Sequence, residues 1–411
     1  MDHSSQKRSK VFKLWSLSLF FQLFSIACST FMPLYFISLG LDKADAAGID
    51  SLAFFLSLAG VFSTSILLSR LSYRSLVVFS FIISGIFASL VSIHFSFMVK
   101  LVSLLLCFLG MAISATLLPL SAIFLLSGAR FGAEYGRYRR VGSMGFLAGL
   151  IVSGICADLS SPWVYPILTG AGFILAGIAF SRLEFPKESG IMTLATSLKS
   201  LESKIDKKFK FSLQFFVDKI RGNYVLLMFG ISQLIIWSAF SVCFRYLPLR
   251  MSEMGSSSIL ISITLAILGV VAIFSIGLIG QITDSINIRF LWPLVPVFLS
   301  IRVILLGIPD SNFYWFMPMQ LLHVPTWVLN DILVLRFLRD KGNELGALRI
   351  SILSQLGMIS GLSLGSFLMS KAIPQFGLQG SFLYVGLLPM LFVPIFLMSW
   401  SSGTIRIKVE T

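Results

Sequence analysis

"CSTFMPLYFISLG", residues 28–40, returns as "CFRYLPLRMSEMG" at residues 243–255. Cys28, Pro33, Leu34 and Gly40 correspond to Cys243, Pro248, Leu249 and Gly255, an offset of 215. The same offset pairs Arg74 with Arg289. At an offset of 210, Glu134-x-Gly136-x-x-Arg139 matches Glu344-x-Gly346-x-x-Arg349. Matches that keep their order at nearly one offset indicate a duplicated unit.

Composition sets what that unit is made of. Of 411 residues 56% are hydrophobic and 12% charged, with a mean hydropathy of +0.91; a soluble chain carries about a quarter charged residues. Apolar runs of the roughly 20 residues that a bilayer requires fall at 12–38, 47–69, 75–97, 99–126, 140–158, 163–182, 223–249, 256–279, 289–308, 313–336, 350–371 and 380–400. They predict an all-α membrane protein of twelve transmembrane helices in two pseudo-symmetric halves. Residues 1–182 form the first half, 183–221 a linker and 222–411 the second half. Within the linker, 207–220 places Phe209, Leu213, Phe216, Val217 and Ile220 on one apolar face under a basic one, as in a helix lying at the membrane surface.

The net charge of +14 has a topological origin. Of 32 lysines and arginines, 26 fall on the side that holds both termini and four on the other. That asymmetry predicts cytoplasmic termini in an inner, multi-pass membrane and removes nucleic acid as a partner. The remaining two, Arg245 and Arg302, lie inside predicted helices. Cys28, Cys107, Cys156 and Cys243 all sit in apolar runs without a CxxC pair, so they read as buried thiols with neither metal nor disulfide. The basic N-terminus lacks a small-residue cleavage site and reads as a retained helix.

"FGAEYGRYRRVGSMGF" (131–146) concentrates glycine and arginine as a phosphate loop does. Gly136 and Gly142 are six apart, however, and no lysine precedes Ser143, so the phosphate-loop spacing fails. Residues 130–140 are expected to be a cytoplasmic loop whose Arg137, Arg139 and Arg140 stay in water, with the fifth helix beginning near Val141. HExxH, GxSxG and clustered intramembrane acids are missing as well, so the chain reads as neither an enzyme nor a holder of a cofactor or metal.

Two six-helix repeats joined by a cytoplasmic linker describe the major facilitator architecture, with substrate held at mid-membrane between the halves. "YGRYRRVGSMGF" resembles the Tyr-Gly-Arg-x-Arg-x-Trp-Gly-Ser-x-Gly-Phe signature of its phenylpropionate-permease-like branch, kin of the nucleoside and oligosaccharide proton symporters. "QLLHVPTW" (320–327) is similar to that branch's tenth-helix pattern. Val141 replaces the signature tryptophan, and Ala122 stands where many relatives carry an acid. The loop after helix 2 is degraded to "SILLSRLSYR" and survives in part as Gly280-x-x-x-Asp284 followed by Arg289. The resemblance implies a secondary transporter for a small organic solute. A carboxylate with proton coupling leads; a nucleoside or sugar symporter, an uncoupled facilitator and a lipid flippase are the alternatives.

Ionisable and polar residues inside a bilayer are costly and mark candidate sites. In helix 10, Gln320, His323, Thr326, Trp327 and Asn330 make one helical stripe, with His323 the proton-site candidate. Asp331 lies farther along, a second coupling candidate within reach of Arg336 or Arg339. Arg245 and Arg302 either snorkel to the outer interface or hold an anionic group of the solute. Gln233 and Trp237 could add a wall. Glu134, Arg137, Arg139, Asp284, Arg289, Glu344 and Arg349 make a cytoplasmic gate, with Glu134 and Arg349 expected to pair between the halves. Gly357, Gly361 and Gly365 in helix 11, and Gly142, Gly145 and Gly149 in helix 5, read as close-packing ridges. Lipid, solute and protons are the expected partners of a monomer.

Overall fold

The computed structural model describes residues 16–17, 19–21, 30–93, 96–125, 131–159, 164–183, 224–308, 312–341 and 344–401, apart from the side chains at several helix ends. Nearly all of these are helical and none is in a strand. The rods are α1 (ending Met32–Ser38), α2 (Lys43–Arg70), α3 (Tyr73–Leu90), α4 (Phe97–Leu125), α5 (Phe131–Leu159) and α6 (Val164–Ser181). They continue as α7 (224–253), α8 (Ser258–Ser285), α9 (Leu294–Leu306) and α10 (313–341). A last continuous stretch, Glu344–Ser401, bends at Gly377 (φ +66°) into α11 (344–376) and α12 (378–401). The linker from 184 to 223, with its amphipathic 207–220 segment, lies outside the described residues.

The duplication is visible in the element bounds. Met32–Ser38 and Leu247–Glu253 are seven-residue helices that start on a proline step, and each is followed by a glycine of positive φ, Gly40 at +89° and Gly255 at +79°. Only glycine enters that region without strain, so the paired glycines of the sequence are the paired turns of the fold. The next helices, α2 and α8, are each 28 residues long. Both are N-capped: Asp45 N–H donates to Asp42 Oδ1 at 2.7 Å and Leu260 N–H to Ser257 Oγ at 3.4 Å. All four bounds of these helices repeat at the offset of 215 seen in the sequence.

Among the described residues eight stretches are long and apolar enough to cross a bilayer, one of them running from Ile352 to Val393 through the bend between α11 and α12. Large side chains such as Phe55, Phe274, Phe290 and Leu391 face outward, the surface a hydrocarbon solvent favours. Inside, small residues set the spacing. A Cβ on Gly361 would collide with the Leu234 carbonyl, and one on Gly365 with that of Ser238, so the GxxxGxxxG ridge seats α11 directly on α7. Gly145 meets the backbone of Leu19 in the same way. The two repeats meet along α2/α11 and α5/α8. Ser51 Oγ donates to the Ser363 carbonyl at 2.9 Å while Ser363 Oγ donates back to that of Ser51 at 3.0 Å, and Gly154 of α5 abuts Ser262 of α8.

Two sequence expectations change here. Residues 131–140 are the first turns of α5 rather than a loop. Hydropathy locates where a helix enters lipid, and α5 begins before that point. Helix 9, expected over 289–308, is shorter: Ile288–Leu291 forms a separate turn before Leu294–Leu306.

Candidate functional site

The regular stripe expected on helix 10 is broken in the structure, and the breaks build the site. Its course is 3-10 over Phe313–Trp315, α over Phe316–Met319, 3-10 over Gln320–Leu322, π over Val324–Val328 and α over Leu329–Lys341. Pro318 and Pro325 each lack the N–H that would continue an α-helical ladder, and the backbone changes pitch four times within α10. A matching π turn occupies Val242–Tyr246 of α7, just before Pro248. Such π turns recur at functional positions because they re-aim side chains.

Around the α10 irregularity lies a buried cluster whose polar groups come from the second repeat, with Phe146 of α5 packed 5.9 Å from Phe244. Arg302 of α9 is 1% exposed. Its Nη2 donates to Gln320 Oε1 at 2.8 Å, and its Nη1 lies 3.4 Å from His323 Nδ1. Gln320 Nε2 donates onward to the Phe316 carbonyl at 2.7 Å. Phe240 and Phe244 of α7 each stand 6.0 Å from the guanidinium and close to the His323 ring. Arg302 Nε finds no hydrogen-bond acceptor, and among the described residues no carboxylate pairs with this cation. A buried guanidinium without an anion is an expensive arrangement, and it suits a site completed by one.

A second polar group adjoins it. Gln233 Nε2 donates to Asn330 Oδ1 and Asn330 Nδ2 donates to Gln233 Oε1, both at 3.2 Å, while Trp237 Nε1 donates to the same Gln233 oxygen at 3.1 Å. Thr326 is buried too, but its hydroxyl donates to the Leu322 carbonyl at 2.7 Å, so it is used by its own helix.

Toward the Arg-rich end the cluster continues as a stack. The His323 and Trp327 rings are parallel within 7° at 5.1 Å, and the Arg139 guanidinium of α5 lies over Trp327 at 4.6 Å. Arg139 Nε is 2.9 Å from Asp331 Oδ2, with side chains 15% and 23% exposed. Asp331 therefore pairs across the repeats with Arg139, while the side chain of Arg339 lies outside the described residues. Arg139 is not a loop residue in water. The pair joins α5 of the first repeat to α10 of the second at that end.

At the opposite end other groups join the repeats. Arg245 of α7 is 6% exposed and pairs with Asp50 of α2, itself 1% exposed. Ser366 Oγ of α11 donates to Asp50 Oδ2 at 2.9 Å. Lys43 pairs with Glu253, and both oxygens of Asp158 accept N–H bonds from Ser258 and Ile259 at the start of α8, at 3.0 and 3.1 Å. Neither Arg245 nor Arg302 snorkels; both are interior.

The structure thus brings together Arg302, Gln320, His323 and Trp327, with Gln233, Asn330 and Trp237 beside them, and places Arg245 apart. Of the expected gate, Arg139 pairs with Asp331 and Arg137 is exposed. The side chains of Glu134, Asp284, Arg289, Glu344 and Arg349 lie outside the described residues. Sequence reading missed Phe240 and Phe244, although with Gln233 and Trp237 they fall at i, i+4, i+7 and i+11 of one helix face. It also missed Asp50, a lone acid in the apolar run "AAGIDSLAFF". Cys107 and Cys243 are buried free thiols, as read, and Cys156 is half-buried.

A family model described as the MFS_1 like family matches residues 14–384. No curated protein matches the chain significantly. Among solved structures, a POT family transporter in complex with a thioalcohol-conjugated peptide superposes with a TM-score of 0.74 at 14% identity, covering 95% of this chain and 96% of that one. A POT family transporter in complex with 5-aminolevulinic acid gives 0.72 at 13%, covering 94% and 95%. A point mutant of the nucleoside transporter NupG gives 0.70 at 16%, covering 95% and 99%. At such identities the likeness is one of fold.

Proposed function

The chain belongs to the MFS_1 like family, and from that premise we propose that it carries a small organic anion, a carboxylate, across the cytoplasmic membrane by alternating access with proton coupling. That it is a membrane transporter of the major facilitator type follows from the family and the fold. The carboxylate reading is carried by one observation: Arg302 is buried beside Gln320 and His323 with no anionic partner among the described residues. A guanidinium presents paired N–H groups that match a carboxylate, and Phe240, Phe244 and Trp327 offer ring faces to an apolar remainder.

The same geometry supports coupling. A proton on His323 in the empty site would place a second positive charge 3.4 Å from Arg302. A bound carboxylate makes the two charges compatible, so anion and proton enter together. In this reading Arg139 and Asp331 close the cytoplasmic end, both termini lie on that side, and the transporter works as a monomer without cofactor or metal. In proteoliposomes, His323→Ala should abolish uptake driven by a proton gradient while counterflow exchange persists; unchanged gradient-driven uptake would remove the histidine from coupling. A nucleoside is the second reading, favoured by the Gln233–Asn330 amide pair next to Trp237 and Trp327, groups suited to base edges and faces. Competition of a nucleoside with a carboxylate for the same purified protein decides between them.

A further inference from the structure

The Asp50–Arg245 pair is not part of the central cluster, and its construction differs from that of the Arg139–Asp331 pair at the far end. Both pairs join the first repeat to the second. Arg139–Asp331 is partly exposed, so water can solvate each ion when the pair opens. Asp50 and Arg245 are sealed, with Phe54 at 5.0 Å from the guanidinium. The groups facing Asp50 are few. From α7 come Arg245 and Tyr246, whose hydroxyl is buried without a partner; from α11 comes Ser366, whose Oγ also lies 3.2 Å from Ser241 Oγ. Nearer the membrane surface stand Lys43, Arg250 and Glu253, joined to one another. Elsewhere on the neighbouring helices, α4 carries Cys107 and, near its start, Lys100, α11 carries Lys371, and Tyr35 of α1 donates to the Val91 carbonyl at 2.8 Å.

Of this buried pair only Asp50 can change charge, since arginine stays protonated. We propose that Asp50 is a proton-operated latch for the end of the transporter opposite the Arg-rich face. A proton taken up by a carboxylate oxygen of Asp50 yields a neutral acid and leaves Arg245 as an unpaired cation in a dry setting. Removing one partner of a buried pair is strongly unfavourable for the other. The cation is relieved when α2 and α7 part and water reaches it, which opens that end. Loss of the proton to the same water restores the pair and recloses the end. The latch rests on the transporter reading but is independent of which solute is carried, and it differs from His323, where proton and solute enter together.

The test reads opening directly. Spin labels at Ser38 and Ser252, exposed positions at the ends of α1 and α7, are placed in the full chain with its native cysteines replaced by alanine, and their separation is measured by pulsed electron resonance across pH. A longer-distance population should grow as pH falls. Asp50→Asn should hold that population at every pH. Because this variant strands Arg245 and could fail to fold, Asp50→Asn combined with Arg245→Gln is measured beside it and should give a distribution that pH does not move. A wild-type distribution indifferent to pH, or a double variant that keeps the wild-type response, overturns the latch; the latter assigns the response to another group, Glu253 first. Counterflow exchange in the same preparations judges the transporter reading separately, because its absence in the wild type at all pH values would remove that reading and leave the distances to decide the latch.

Discussion

Replacing Arg302 with glutamine should move affinity and stability in opposite directions. Each charge-assisted hydrogen bond to a carboxylate is worth about 1.5–3 kcal/mol, and a neutral one about 1 kcal/mol. Arg302 can offer an incoming anion two such donors; glutamine offers one neutral donor. The difference is about 3 kcal/mol, and since 1.4 kcal/mol is a factor of ten, binding of a carboxylate should weaken by about two decades. In the empty protein the change removes a cation that is 1% exposed and faces no carboxylate among the described residues. Glutamine can still bond Gln320, so the melting temperature without ligand should hold or rise. Calorimetric titration of carboxylates and of their amides, with melting curves of both proteins, makes the comparison. Equal losses for charged and neutral ligands would refute the anion clamp, and so would a variant that melts lower yet binds the carboxylate as before.

Three further outcomes follow from the packing. Gly361→Leu should destabilise the protein by more than the 1–3 kcal/mol of ordinary overpacking, because the new side chain meets the Leu234 backbone; thermal unfolding in detergent checks it. Exchanging charges in the Arg-rich closure, Arg139→Asp with Asp331→Arg, should restore the transport that either single change impairs; failure of the double variant to recover would mean that the pair does not act as a closure. Trp327→Leu removes the ring between His323 and Arg139 and should accelerate labelling of a cysteine introduced at Val334 of α10, while a rate equal to that with Trp327 present would show that the stack does not hold it shut.

How far the residues alone carried the reading can be argued element by element. The repeat was legible because its markers, Pro33/Pro248 and Gly40/Gly255, act locally: a proline start and a positive-φ stop dictate a short helix wherever they occur. The central cluster was legible because polar side chains in an apolar run are conspicuous. The start of α5 was not, since arginines that leave the bilayer look like a loop whether or not the backbone is helical. Regular helical arithmetic failed on α10, where Pro318 and Pro325 reset the pitch. Asp50 was overlooked because its meaning depends on Arg245, 195 residues away, and no local pattern announces such a partner.

The central cluster takes its buried polar groups, Arg302, His323, Gln320, Gln233 and Trp237, from the second repeat. A solute held there would ride with that half as the other swings past it, so the first half serves as a moving wall rather than a co-reader of chemistry. Selectivity then becomes a portable property. A hybrid gene that joined this second half to the first half of a relative with a different cargo should inherit the cargo of the second, with the first deciding only how fast the wall turns.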